Sequence, residues 1–248
     1  MQIIENRYLA VQQVRQRVSI LVPTFQAAAF IEECLDSIEE QTYFKDNNNN
    51  FEVLIGIDAC EPTRKKLNKI RDKYRNLTII MLENNVGTYI TLNTLIELGT
   101  SSNIIFFGSD DIMRPELVNE VMAASSDADV VRMGYNAFIS EKKDARRMLQ
   151  YANGAIFYKR DVLELSGGYQ PWKCVADAEL IYRTAKRVKT NRVDKVLFYY
   201  RVHCNSVTKR TDIGLGSELR KHYLSLIRVY EADEDIHIER ITGKFNEV

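Results

Sequence analysis

Adjacent carboxylates stand directly after an apolar run in the middle of the chain. Residues 103–107 are largely apolar, and Ser109, Asp110 and Asp111 follow within four positions. Mg²⁺ and Mn²⁺ prefer hard oxygen ligands and use few protein carboxylates, because phosphate oxygens complete their coordination. A cation held here could act as a Lewis acid toward the oxygens of such a ligand. The structural alternative is a helix-capping turn ahead of Pro115, since Asp caps helices well.

Two further polar positions follow apolar runs in the same way. Pro23 and Thr24 come after the run at residues 17–22, and Asp58 comes after the run at residues 51–57. The carboxyl ends of parallel strands meet at one edge of a sheet, and ligands bind beyond that edge in open α/β folds. We therefore expect these positions to lie near Asp110. A plain strand-ending turn remains the alternative for Asp58, because Asp is a common turn residue.

The elements that would position these residues alternate between strand and helix through the first half of the chain. Apolar runs predict strands at residues 17–22, 51–57, 77–82 and 103–107. Apolar residues at helical spacing predict helices after the first three strands, and Pro115 opens a fourth helix. The spaced residues are Ile31, Cys34, Leu35 and Ile38, then Leu67, Ile70 and Tyr74, then Leu92, Leu95 and Ile96. This order predicts an α/β fold with a parallel sheet and helices on both faces.

The second half of the chain is less regular and predicts a mixed sheet. Strands are expected at residues 128–135, 154–158 and 192–200, helices at 177–188 and 219–230, a polar loop or hairpin at 140–147, and a solvated acidic stretch at 231–235. The Asn-rich run at residues 46–50 is too polar to pack and predicts an exposed loop.

Composition narrows the class of protein. The 248 residues suit one large domain, and 34 basic side chains balance 34 acidic ones, so no global field attracts nucleic acid. No apolar run has the length of a membrane span, and the first residues lack the order of a signal peptide. Four widely spaced cysteines without a CxxC pair indicate thiols in a reducing compartment. We expect a cytoplasmic protein with no nucleic-acid partner and no transmembrane segment.

Six segments, in order, resemble family 2 glycosyltransferases between Val18 and Thr208. They read VSILVPTFQAAAFIEECLDSIEEQTY, FEVLIGIDA, NNVGTYITLN, IIFFGSDDIMRPEL, SGGYQPWKCVADAELIYR and YYRVHCNSVT. The resemblance implies a single GT-A (Rossmann-like) domain of the nucleotide-diphospho-sugar transferase superfamily over residues 1–248. Within it, residues 18–125 would bind the nucleotide-sugar, residues 126–210 would form the acceptor side, and residues 211–248 would form a C-terminal helical segment.

The resemblance implies a donor site at the strand ends. It places these residues against the nucleotide-sugar: Pro23, Thr24, Asp58, Asn85, Gly87, Asn93, Ser109 and Asp110. A carboxylate such as Asp58 can accept the uracil ring N–H, which favours a UDP-sugar, although the family also uses GDP, dTDP and CMP donors. Gly87 has the alternative of simply starting a helix.

A divalent cation, Mn²⁺ or Mg²⁺, is implied as cofactor by the same resemblance. Asp110, Asp111 and His203 match its ligand positions. The family pattern has an Asp where this chain has Gly108, which is one departure at a chemically sensitive place. As a lone histidine, His203 would more often be structural.

On the acceptor side, the resemblance makes Asp177 the catalytic base, a carboxylate that removes a proton from an acceptor hydroxyl. The alternative is an acidic residue that interacts with the N-terminal dipole of a helix. Ala176 precedes it where the family usually has Glu. Trp172, Glu179 and Arg201 also fall on the acceptor side, with structural alternatives as a core residue for the Trp and a surface ion pair for the Arg.

The resemblance therefore predicts an inverting, metal-dependent glycosyltransferase with a saccharide or lipid-linked acceptor. Contact with a membrane surface remains compatible with such an acceptor, and the oligomeric state stays open. The alternative is a degenerate GT-A domain that binds nucleotide or sugar without turnover, because Gly108 and Ala176 depart from the family pattern. A nucleotidyltransferase is disfavoured, since residues 23–27 are not the Gly-rich, basic phosphate loop which that class requires.

Overall fold

A nine-stranded sheet forms the centre of the chain. The computed structural model describes residues 17–46, 51–139, 146–204, 206–227 and 237–248. Numbered along the chain, the strands lie in the order β5-β8-β6-β7-β4-β1-β2-β3-β9. Their bounds are Val18–Thr24, Phe51–Ile57, Leu77–Leu82, Asn103–Phe106, Ile112–Met113, Val130–Phe138, Arg146–Lys159, Thr190–Arg201 and Phe245–Glu247.

The sheet has a parallel half and a mixed half. Strand β1 pairs in parallel with β2 and β4, and β2 pairs in parallel with β3. Strand β7 runs antiparallel to both β4 and β6, β8 runs parallel to β6, and β5 runs antiparallel to β8. The expectation of a single α/β domain with a parallel centre and a mixed second half is confirmed.

Helices cover both faces of the sheet. Numbered α1 to α8, they span Ile31–Glu39, Thr42–Asp46, Glu61–Ile70, Thr88–Leu98, Leu117–Ala124, Arg160–Ser166, Ala176–Thr184 and Glu218–Ile227. Successive side chains of a strand point to opposite faces. Ile20 of β1 accordingly packs in the layer that contains Leu35 of α1, whereas Leu21 packs in the layer that contains Leu95 of α4 and Leu180 of α7. Within the described ranges, no helix combines the length and the apolar character needed to cross a membrane.

Several element boundaries differ from those predicted. The strand expected at residues 154–158 begins at Arg146, because it pairs with β6 as far as Ala137. Ladder pairing there extends the strand into residues 146 and 147, the end of the polar stretch predicted as a loop or hairpin. The helix expected to reach residue 188 ends at Thr184, and the C-terminal segment, expected to be helical, also contains strand β9. Residues 47–50, 140–145 and 228–236, which include most of the Asn-rich run and the acidic stretch, lie outside the described residues.

Candidate active site

Asp58 organises the loop that leads into helix α4. Its Oδ1 accepts the Val86 N–H at 2.7 Å and its Oδ2 accepts the Gly87 N–H at 2.9 Å. The Asn85 side chain donates to the Asp58 carbonyl oxygen at 3.2 Å. Burial raises the pKa of Asp58, and the two backbone N–H groups oppose that rise. The carboxylate predicted to bind the nucleotide therefore also fixes the shape of the loop at the strand edge.

The ends of β1 and β2 are joined directly. The Asp58 N–H donates to the Thr24 carbonyl oxygen at 2.9 Å, and the Thr24 hydroxyl donates to the Gly56 carbonyl oxygen at 3.1 Å. Thr24 is buried, so its hydroxyl belongs to the strand pair, while Pro23 is half-buried. Just beyond these strand ends, Gln26 and Ala59 have φ of 53° and 49°. Non-glycine residues rarely adopt this region, and such positions cluster at functional sites.

Gly87 caps the start of helix α4 with a φ of 91°, a conformation that glycine adopts without strain. The other two residues predicted in this segment have different surroundings. Asn85 is exposed, in reach of a ligand. Asn93 is fully buried, accepts the Tyr169 N–H at 2.9 Å and donates to the carbonyl oxygens of Tyr169 and Ile241. The side chain of Asn93 thus binds the protein backbone in place of the predicted nucleotide contact.

The two carboxylates after β4 have opposite surroundings. Asp111 is buried, its Oδ1 accepts the Arg201 N–H at 2.9 Å, and burial together with the Asp110 charge raises its pKa. Gly108 lies beneath both, and a Cβ there would meet Asp111 Oδ2 at 2.8 Å. Ser109 is buried beside them. Asp111 therefore secures the loop to β8, and Asp110 is the carboxylate that reaches the accessible side.

Asp110 pairs with His203, which lies just past the end of β8. The distance between Asp110 Oδ2 and His203 Nε2 is 2.9 Å. The imidazole ring packs near Phe30, with ring centroids 4.8 Å apart. The exposed fractions of the His203 and Asp110 side chains are 20% and 28%, so both remain accessible from solvent.

One carboxylate oxygen and one imidazole nitrogen form a donor set that suits Mn²⁺, provided that a diphosphate and water supply the other ligands. Among the residues that the structure describes, no group of three or more potential metal-ligating side chains occurs. Asp110 and His203 therefore fit a cation that arrives with its phosphate ligand. Asp111, predicted as a third ligand, has one oxygen bound to the Arg201 N–H.

Arg201 is held inside the protein and does not extend toward the accessible side. Its Nε donates to the Asp110 carbonyl oxygen at 2.9 Å, and its Nη2 pairs with Glu33 of α1. Its guanidinium carbon lies 4.9 Å from the ring centroid of Phe30 and 4.6 Å from that of Phe138. The ion pair with the exposed Glu33 carboxylate is the structural alternative stated for Arg201, and its second contact, to the Asp110 carbonyl oxygen, supports the backbone of the candidate metal ligand.

Asp177 lies in the first turn of α7 and is half-buried. Its Oδ1 accepts the hydroxyl of Tyr89 at 2.9 Å. Burial and the Asp177 charge raise the pKa of Tyr89 well above its ordinary value, so the hydroxyl keeps its proton and remains a hydrogen-bond donor. Within the described residues, the hydrogen bond seen at the Asp177 carboxylate is this one, at Oδ1.

The backbone that enters α7 is strained. Val175 has φ 59° and ψ 10°, a left-handed conformation that is unusual for a β-branched residue. It is buried together with Cys174 and Ile213. Packing therefore holds a conformation that costs about 1–3 kcal/mol, and such strain is concentrated at functional sites.

Glu179 is fully buried and binds Arg183, with 2.6 Å between Oε1 and Nε. Arg183 also donates to the carbonyl oxygens of Ser166 and Gly168. Glu179, which the resemblance placed on the acceptor side, thus holds the Arg183 side chain that links α7 to the preceding segment, and its carboxylate is not exposed.

Trp172 stacks on Tyr223 of α8, with ring centroids 4.6 Å apart and planes 5° apart. Trp172 is half-buried and packs against two apolar clusters. One face of the indole is therefore occupied by Tyr223, and the residue joins α8 to the region of Asp177.

The structure thus gathers the predicted residues into two groups. Asp58, Asn85 and Gly87 form one group, which continues through Tyr89 to Asp177; Asp110 and His203 form the other. Sequence reasoning missed Tyr89 and Glu33. Tyr89 stands two residues after Gly87 in a matched segment, which was an available signal, whereas nothing near Glu33 in sequence indicated its ion pair.

Comparison with known proteins identifies relatives of the chain. The family described as Glycosyl transferase family 2 matches residues 19–211. An uncharacterized glycosyltransferase of Nostoc sp. is 22% identical over 214 residues, which cover 75% of this chain and 65% of the relative. A PGL/p-HBAD biosynthesis glycosyltransferase of Mycobacterium bovis is 28% identical over 164 residues, which cover 61% of this chain and 62% of the relative. The chain thus spans less than two thirds of the length of these curated relatives.

Solved structures share the fold. TarS of S. aureus in complex with UDP superposes with a TM-score of 0.67 at 20% identity, covering 86% of this chain and 65% of that one. The mannosyltransferase PcManGT from Pyrobaculum calidifontis, in complex with GDP-Man and Mn²⁺, superposes with a TM-score of 0.68 at 19% identity, covering 91% of this chain and 71% of that one.

Proposed function

The chain belongs to glycosyl transferase family 2, and from this we propose that it transfers a sugar from a nucleotide-diphosphate donor, a UDP-sugar, to an acceptor hydroxyl with inversion. The names of the curated relatives support a glycosyltransferase activity. The TarS complex with UDP and the PcManGT complex with GDP-Man, both neighbours in fold, support a nucleotide-diphosphate donor. The acceptor in this proposal is a saccharide or a lipid-linked hydroxyl compound.

The observation that carries the proposal is the connection between the strand-edge loop and Asp177. Asp58 binds the Gly87 N–H, helix α4 begins at the next residue, and Tyr89 in its first turn binds Asp177. A half-buried carboxylate, oriented by a partner and held beside a loop at the carboxyl edge of the sheet, has the features of a general base.

On the donor side, the loop after β2 and the strand ends of β1 and β2 would hold the nucleotide. Asp58 keeps the loop in place, and exposed Asn85 is available for a polar contact. Asp110 and His203 would hold a divalent cation, and PcManGT, whose complex contains Mn²⁺, supports that role. A bound cation would supply neutralisation of the charge on the leaving diphosphate.

On the acceptor side, Asp177 would remove the proton from the attacking hydroxyl. The hydroxyl oxygen forms a bond to the anomeric carbon, while the bond from that carbon to the diphosphate breaks and its electron pair leaves with the nucleotide. The proton goes to Oδ2 of Asp177, since Oδ1 accepts the Tyr89 hydroxyl. Attack opposite the leaving group inverts the configuration at the anomeric carbon.

The test is single-turnover transfer by Asp177→Asn beside the wild type. The Asn side chain keeps the size and most hydrogen bonding of the Asp but lacks its basicity. General-base catalysis contributes about 10²–10⁴-fold, so transfer should fall at least about a hundredfold. Calorimetric titration should find UDP affinity nearly unchanged, because the base acts mainly in the transition state. Wild-type transfer by Asp177→Asn would remove Asp177 from the mechanism.

A second candidate function is binding of nucleotide or sugar without turnover. It is favoured by the crowding at Gly108, where the family's additional Asp has no room without movement of Asp111. Release of UDP from a panel of UDP-sugars with Mn²⁺ and mixed saccharide acceptors separates the two functions. UDP binding without any release by the wild type would favour the binding domain and contradict transfer.

A further inference from the structure

Asp177 cannot be oriented by its neighbour in sequence. Ala176 is fully buried in the apolar layer that contains Tyr158, Leu163 and Leu180, so no charged or polar group stands there. Glu179, two residues further on, is committed to Arg183 inside the protein. An orienting contact for the Asp177 carboxylate therefore has to come from another element.

Tyr89 supplies that contact from helix α4. Its hydroxyl donates to Asp177 Oδ1 at 2.9 Å across 88 residues of sequence. The Tyr89 ring packs against Tyr169, with ring centroids 5.4 Å apart. Asn93, one turn further along α4, binds both the N–H and the carbonyl oxygen of Tyr169. Helix α4 and the segment that leads into α7 are thus tied at two points, which fixes the Tyr89 hydroxyl relative to Asp177.

The same contact reaches back to the strand edge. Helix α4 begins after Gly87, whose N–H is bound by Asp58. The position of Tyr89 is therefore set at one end by the loop that Asp58 holds and at the other by Tyr169. A hydroxyl anchored in this way selects one orientation of the carboxylate, because Oδ1 has to face the donor and Oδ2 is turned away from it.

We propose that Tyr89 is a positioning residue that orients Asp177 for proton removal, in place of a charged residue at position 176. This inference rests on the proposed function, in which Asp177 is the base. Tyr89 itself takes no proton and forms no bond to the sugar. Its effect is on the transfer step, since misplacement of a catalytic group costs rate without a matching cost in substrate affinity.

The experiment is a double-mutant cycle with Tyr89→Phe and Asp177→Asn, measured by single-turnover transfer and by UDP titration. Tyr89→Phe removes only the hydroxyl. In the wild-type background it should slow transfer about tenfold, because charge-assisted hydrogen bonds are among the stronger contacts. The affinity for UDP should stay within twofold of the wild-type value. In the Asp177→Asn background the same change should slow transfer less than twofold, because the base it orients is absent. Equal losses in both backgrounds would overturn the assignment.

A matched control separates this effect from a general disturbance of helix α7, which carries Asp177. Tyr182 lies on α7 with 56% of its surface exposed. Tyr182→Phe should leave transfer, UDP affinity and melting temperature at the wild-type values. Loss of transfer by this variant would show that α7 tolerates no such change and would contradict a specific role of Tyr89.

Failure of the proposed function can be distinguished from failure of this inference. If the proposed function is wrong, the wild type will bind UDP but release no product. The crystal structure of Tyr89→Phe then decides the inference without turnover. If Tyr89 orients Asp177, the carboxylate should leave its present position or adopt several conformers. An Asp177 side chain in the same place, with the same single conformer, would overturn the inference.

Discussion

Asp110 and His203 face each other at 2.9 Å although 93 residues separate them in the sequence. Strand β8 brings them together, because it ends at Arg201, whose backbone N–H is bound by Asp111. The loop after β4 is thus attached to the end of β8 by one carboxylate, and the neighbouring carboxylate is presented to His203.

The two adjacent carboxylates should respond differently to substitution. Asp110→Asn should abolish the strengthening of UDP binding by Mn²⁺, because a direct metal ligand is lost and even outer contacts of a metal site contribute about 10–100-fold to metal affinity. Asp111→Asn should retain it, because the amide oxygen can still accept the Arg201 N–H. Calorimetric titration of UDP with and without Mn²⁺ measures both effects. An Asp110→Asn protein with the full Mn²⁺ response would remove Asp110 from the metal site.

A side chain at position 108 should destabilise the protein. In Gly108→Ala the new Cβ would lie 2.8 Å from Asp111 Oδ2, so the carboxylates have to shift. We expect a loss of about 1–3 kcal/mol in the free energy of unfolding, as for other overpacked sites. Gly154→Ala is the control, because a Cβ there meets nothing within 4 Å. Denaturant unfolding measures both, and equal stability of the two variants would contradict the crowding.

Asp58 should contribute to stability through the loop that it holds. Asp58→Asn keeps one acceptor oxygen and leaves either the Val86 or the Gly87 N–H without a partner, which should cost about 1–3 kcal/mol. Burial raises the pKa of Asp58 from 3.8 in the folded chain. The stability of the wild type relative to Asp58→Asn should therefore be greatest at pH values below the ordinary pKa of 3.8, and it should decline as the pH rises through the folded pKa.

Glu61 provides a control with the opposite trend. Its hydrogen bond with Arg64 lowers its pKa in the folded chain. The wild type should therefore gain stability relative to Glu61→Gln above the ordinary pKa of 4.5 and lose it as the pH falls. Unfolding in urea from acidic to neutral pH tests both trends. If the stability difference from the wild type had the same dependence on pH for both variants, burial would not be what sets the pKa of Asp58.

The buried pair of Glu179 and Arg183 should matter far more than an exposed pair on another helix. Glu179→Ala leaves the Arg183 charge buried without its carboxylate and should cost about 3–5 kcal/mol. Glu218→Ala removes an exposed partner of Lys221 and should cost less than about 1 kcal/mol. Chemical denaturation compares the two. A similar small loss for both would mean that water reaches Arg183.

Most strands of the parallel half follow from the sequence because they are buried on both faces and read as continuous apolar runs. Strand β2 has its predicted bounds for this reason, and β3, which is more exposed, also has its predicted bounds. The short strands β5 and β9 carry no such signal, since they exist only through pairing with β8 and β3. Strand β7 extends into a polar stretch because β6 pairs with it there.

The sequence predicts where the site residues lie in the fold better than it predicts the direction in which their side chains point. The end of a parallel strand sets where Asp58 and Asp110 lie, and topology alone provides that. Whether a side chain faces the ligand or the interior depends on partners from distant segments. Asn93 turns inward to Tyr169, and the guanidinium of Arg201 pairs with the exposed carboxylate of Glu33. Neither partner can be read from local spacing.

The outermost strands of the described sheet are also its shortest. Strand β5 has two residues and strand β9 has three. Strand β9 lies against β3, where the Gly243 N–H also binds Thr94 of α4. An exposed strand edge is a template for pairing with other chains, and very short edge strands offer little of it. The described sheet therefore presents little open edge for pairing with another strand, and removal of β9 would uncover the six-residue edge of β3 to neighbouring molecules.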